Sequence, residues 1–146
     1  MITLQELHDE LVNDPNNYGF ASMIASGSTN LIVDELNMVR SNITITKRSV
    51  SVDEVIITID PAEYMAVQQA AKREWVQMLL SLSLGEVPTN NQNIINGIIS
   101  IFGSNSNTVS ALNVLRQRNG SRIEQLFDVD DKVTKIQVLD AINYVP

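Results

Sequence analysis

Apolar residues recur along this chain mostly at helical spacing. Leu4, Leu7 and Leu11 fall on one face, and Thr3-Leu4-Gln5-Glu6 before them has the form of a capping box. Asp14-Pro15-Asn16-Asn17 and Gly19 end this first helix, because proline and glycine extend a helix only at a cost. Ala25-Ser26-Gly27-Ser28 is a second break. Thr29 or Ser28 can then cap a helix over Asn30 to Val39 with Ile32, Leu36 and Val39 on its inner stripe.

The pattern changes between 43 and 59. Ile43-Thr44-Ile45-Thr46 alternates as a strand does, and Val50, Val52, Val55, Ile57 and Ile59 nearly continue the alternation. Ser51-Val52-Asp53-Glu54 is nevertheless a second capping box, with Val52, Ile56 and Ile59 on one helical face. The favoured reading is an extended piece over 43–47 followed by a helix over 52–59.

Asp60-Pro61-Ala62-Glu63 combines a cap, a first-turn proline and a first-turn acid. The helix it opens is expected to run through Trp75 to about Leu84, with a jog near Val67. Met65, Ala66, Ala70, Trp75, Met78, Leu79 and Leu82 supply its buried side, and Gly85 and Pro88 stop it. Thr89 or Asn90 opens a further helix ending at Gly103, carrying Ile94, Ile95, Ile98, Ile99 and Phe102. After the polar turn Ser104–Asn107, the residues Val109, Leu112 and Leu115 mark another helix, which Gly120 is expected to end. Ser121 caps a short turn through Ile123, Leu126 and Phe127, and Thr134 caps a last helix with Val138, Leu139 and Ile142 inward. The expectation is an all-α fold: one compact domain over 1–146, built from six to eight short helices and allowing one short extended segment near 43–47.

Composition narrows the function classes. With 44% apolar and 18% charged residues the chain is neither disordered nor fibrous, and without cysteine it has no disulfide, thiolate metal site or thiol nucleophile. The N-terminal segment lacks the basic-then-apolar form of a signal peptide. No apolar run approaches the ~20 residues that cross a bilayer. A net charge of −7 argues against general or sequence-specific nucleic-acid binding. The acids Glu6, Asp9, Glu10, Asp14, Asp34 and Glu35 crowd residues 1–39, which hold no Lys or Arg, whereas Arg116, Arg118, Arg122, Lys132 and Lys135 crowd the other end. Such a split suits either two solvated faces or complementary ends of a subunit that meet in a repeating assembly.

Candidate chemistry is sparse. His8 is the only histidine and has no partner at triad or metal-ligand spacing. Asp128-Val129-Asp130-Asp131 begins like a calcium loop but places Lys132, Val133 and Leu139 where a third ligand, glycine and glutamate belong. Gly103–Asn107 lacks the second glycine of a nucleophile elbow and the Gly-Lys of a phosphate loop. Glu54, Asp60 and Glu63 coincide with helix starts, where capping accounts for them. Trp75 reads as a core residue, with an interface anchor as the alternative. No spacing calls for a cofactor.

Four segments, LQELHDELVNDPNNYGFASM, DEVIITIDPAEY, LNVLRQRNGSRIEQLF and KVTKIQVLDAIN, follow one another in an order that resembles a family of small tailed-bacteriophage proteins encoded among structural genes. The resemblance spans most of the chain and departs at Ile24–Thr29, which is longer here than in family members. It implies a virion component made in the host cytoplasm, with no catalytic residues to carry over. Its expected partners are portal, connector or tail proteins, and further copies of itself. A head–tail connector or neck role leads; a capsid or tail accessory role and a small host-directed regulatory role are the alternatives. In this reading Arg116, Arg118 and Arg122 contact the acids Glu6, Asp9, Glu10, Asp34 or Glu35, within the chain, of a neighbouring copy or of a partner. Reversing Arg118 and Arg122 to Glu is then expected to leave helicity intact and block assembly.

Overall fold

The computed structural model describes residues 2–81 and 85–145. The Thr3–Glu6 capping box starts α1, Leu4–Asn13, and buries Leu7 and Leu11. Its exit turns at Asp14, a left-handed residue (φ 39°) whose carboxylate accepts from the backbone N–H of Tyr18, Gly19 and Phe20 at 2.7, 2.7 and 3.1 Å. Those N–H groups lead into α2, Phe20–Ala25, a helix the periodicity does not announce. Next come α3, Thr29–Asn37, β1, Arg40–Thr46, and β2, Ser49–Ser51.

The Ser51–Glu54 box opens α4, Val52–Thr58, so the extended-then-helical reading of 43–59 holds within a few residues. Asp60 accepts from Ala62 and Glu63 N–H to start α5, Pro61–Ala66. The jog expected near Val67 is a full break before α6, Ala70–Leu80. The break resets the inner face: Val67 and Val76 are buried with Leu79, while Met65 and Met78, expected inside, are exposed. Leu82 and the expected helix end at Leu84 lie outside the described residues. β3, Glu86–Pro88, follows; then α7, Gln92–Phe102, capped by Asn91, and α8, Asn107–Leu115, capped by Ser106. β4, Gln117–Gly120, leads into α9, Arg122–Leu126, and α10, Lys135–Ile142, each opened by the expected Ser121 or Thr134 cap.

The fold is therefore mostly helical, 58% of the chain, with ten helices among the described residues, and it is not purely all-α. β1 pairs with β4, and β2 pairs antiparallel with β3 in the register Ser49↔Pro88, Val50↔Val87, Ser51↔Glu86. The segment after α8 does not continue as helix to Gly120. Ile43 and Ile45 of β1 point inward, and a Cβ added at Gly120 would lie 2.7 Å from a methyl of Ile45. The glycine thus serves close approach in an extended strand, not a left-handed helix end.

The contacts divide into two compact units. The first takes the chain up to Ile45 and from Asn119 onward; the second is 46–118. Core residues of the first include Leu7, Leu11, Phe20, Ile32, Leu36, Ile123 and Val138. Two polar contacts tie its distant segments together. Asn37 exchanges hydrogen bonds with the backbone of Val133 at 2.8 and 2.9 Å, and His8 Nδ1–H donates to the Ala141 carbonyl at 2.8 Å. The second unit packs Val50, Val52, Val55, Leu79 and Val87 against half-buried Trp75, Ile94, Ile98 and Leu112.

Candidate protein–protein interaction surfaces

The residues singled out by charge end in different surroundings. In the first unit Arg122, the first residue of α9, meets Glu10 on the inner side of α1. Nε donates to Oε1 at 2.7 Å and Nη2 to Oε2 at 2.8 Å, while Nη1 reaches Gln125 Oε1 at 2.8 Å. The side chains are only 13% and 6% exposed. Hydrogen bonding to Glu10, the largest influence, raises the Arg122 ionisation above its ordinary value against the opposing effect of burial. Both residues are spent on each other.

Arg40 pairs with Glu35, and its guanidinium lies 4.6 Å from the centre of the Tyr18 ring. Glu6 closes its capping box with Thr3. Asp9 and Asp34 are exposed on the outer sides of α1 and α3. Arg118 is half-buried on β4 and has interactions of its own. Of the candidate arginines and acids, then, the fold joins Arg122 to Glu10. Arg40, which was not among the candidates, takes Glu35.

In the second unit two acidic residues have local work beyond the start of α5. Glu63 accepts from the N–H groups of Asn107 and Thr108 at 2.7 and 2.9 Å, so it caps α8 as well as belonging to the first turn of α5. The Thr108 hydroxyl, fully buried, accepts from Asp60 N–H at 3.0 Å. Hydrogen bonds from Thr108, side chain first and then backbone, hold Glu63 below its ordinary value of 4.5. The Glu63 N–H does the same first for Asp60, and the Ser51 N–H then its hydroxyl for Glu54.

These depressed carboxylates set an acid limit. A group whose ionisation is lowered by folding contributes stability above its unfolded value and loses it as pH falls through the folded one. Thermal midpoints are expected to be level above about pH 5 and to decline below it. Glu63→Gln should flatten that decline when melting is followed by circular dichroism. An unchanged slope in that variant would remove Glu63 from the account.

Also in the second unit, an apolar cleft of about 70 Å³ opens among Val50, Val55, Val87, Ile94, Ile98 and Leu112, with Arg116 at its lining. Arg116 is half-buried, and its Nε is buried without a hydrogen-bond partner among the described residues. None of the residues of the isoleucine-rich α7 is fully buried. Its dense run of isoleucines on one face, broken by Gly97, is the signal that could have pointed to a cleft. Elsewhere large apolar residues stand in solvent: Ile57 is 84% exposed, Ile136 71% and Leu31 55%.

Among the described residues no three His, Cys, Asp or Glu side chains gather as a metal centre requires, and no helix is long and apolar enough to cross a membrane. Asp128 and Asp130 belong to a turn in which Asp128 accepts from Val129 N–H and Glu124 from Asp130 N–H. Comparison with family models, with characterised proteins and with solved structures found no match.

Proposed function

We propose that the chain is a non-catalytic structural component of a tailed-phage particle, acting through protein–protein contacts in an oligomeric assembly, with the head–tail connector or neck as its leading place. The observation that carries the contact role is the set of large apolar side chains left in solvent on both units, Leu31 and Ile136 on one and Ile57 on the other. Exposed apolar side chains of this size gain favourable burial when a partner covers them, which supports a contact role. The phage assignment is supported by the order of the four sequence segments. The carboxylates that an enzyme reading would need are occupied in capping, Glu54 at α4 and Asp60 and Glu63 at α5 and α8.

Quantitative mass spectrometry of gradient-purified particles, set against the soluble lysate of the same infection, tests this. The expected result is enrichment in the particle at about six or twelve copies, the stoichiometry of a closed ring. Hundreds of copies would move the protein to a capsid or tail lattice. Recovery in the lysate alone would end the virion reading.

A further inference from the structure

The cleft of the second unit combines three properties. It is apolar, it is open, and its lining includes Arg116, whose Nε–H is buried with no acceptor among the described residues. At about 70 Å³ it is roughly half the cavity of ~150 Å³ that admits a benzene ring, so it suits one branched aliphatic side chain and not a cofactor. A matching occupant carries an exposed aliphatic group with a carboxylate one helical turn away.

The chain itself offers that pair. On α3, Ile32 and Leu36 face the core with no exposure, while Leu31 stands 55% exposed and Asp34, three residues on, is exposed on the same outer side. No Lys or Arg occurs in residues 1–39 to oppose an approach to Arg116. The exposed Ile136 of α10 also has an acid a turn away, Asp140, but Lys135 stands beside it. We propose that the cleft seats α3 of a second copy of this chain, Leu31 entering between Ile94, Ile98 and Leu112 and the Asp34 carboxylate accepting from the Arg116 guanidinium. The donor and receptor surfaces are different patches, so the contact is head-to-tail and each copy keeps one of each for the next. The interface deepens the assembly reading above and rests on it.

Sedimentation equilibrium of the full chain from about 10 µM to about 500 µM reads the contact directly. Wild type is expected to self-associate. Leu31→Asp, Asp34→Arg and Arg116→Glu should each weaken association at least about tenfold, with unchanged circular dichroism for the two exposed α3 positions. Combining Asp34→Arg with Arg116→Glu restores the opposite charges and should restore association, an outcome that misfolding of Arg116→Glu cannot mimic. A monomeric wild type throughout, or a charge-swapped double variant as weak as the singles, would overturn the proposal. So would loss of association in Val12→Asp but not in Leu31→Asp, because Val12 is the exposed aliphatic of α1 with Asp9 a turn away. The two readings fail separately. Absence from particles ends the virion role while self-association remains measurable, and a monomer that co-purifies with particles removes this interface alone.

Discussion

Arg122→Ala is expected to lower the free energy of unfolding by about 3–5 kcal/mol, the usual cost of breaking a buried ion pair from one side. The size follows from what remains: the Glu10 carboxylate, 6% exposed, would keep its burial and lose both charge-assisted hydrogen bonds. Chemical denaturation followed by circular dichroism measures it. A loss below about 1 kcal/mol would mean that the pair behaves as an exposed one. Replacing both partners, Glu10→Leu with Arg122→Met, should recover most of the loss, since the stranded charge and not the missing bridge is the expensive part. The raised ionisation of Arg122 places its contribution at and below its ordinary range, to be lost only as pH climbs through the folded value, so the pair is intact throughout neutral pH. The same geometry changes the expectation for Arg118→Glu with Arg122→Glu. Glutamate at 122 would face Glu10 inside the first unit, so failure of assembly in that variant would report unfolding as readily as a lost contact. The exposed Leu31 and Asp34 are the cleaner positions.

What could be read from the sequence was what lies within one helical turn. The boxes Thr3–Glu6 and Ser51–Glu54 and the caps Asp60, Ser121 and Thr134 each join residues two or three apart, and all form. The misses at β4, Glu63 and Arg122 share one cause, partners distant in the chain. Gln117–Gly120 has little intrinsic preference for a strand and becomes one beside β1, far earlier in sequence. Glu63 finds α8 forty-four residues on, and Arg122 finds Glu10 across 112. Charge segregation placed Arg122 and Glu10 among the candidates without pairing them, because pairing depends on how α1 and α9 pack. The exposure of Met65 and Met78 has a simpler origin. The break between α5 and α6 separates two helices whose apolar faces were read as one continuous stripe.

Gly97→Val should destabilise the second unit by about 1–3 kcal/mol, the range for overpacking a filled contact. The glycine sits inside α7, where alanine or leucine would ordinarily be preferred. Its reason is Trp75: an added Cβ at 97 would stand 2.5 and 2.7 Å from two carbons of the indole ring, well inside contact distance. Either α7 lifts away, loosening Ile94 and Ile98 from the core they share with Leu79, or the indole swings outward. Trp75 is the only tryptophan in the chain, so its fluorescence separates these responses. A red-shifted emission in the folded variant means that the ring has moved into water; an unshifted emission with reduced stability means that the helix has yielded. Wild-type stability together with wild-type emission would show that the α6–α7 contact has room to spare. In the helix-yielding case Ile94 and Ile98 also line the cleft, so self-association should weaken without any change at Leu31, Asp34 or Arg116.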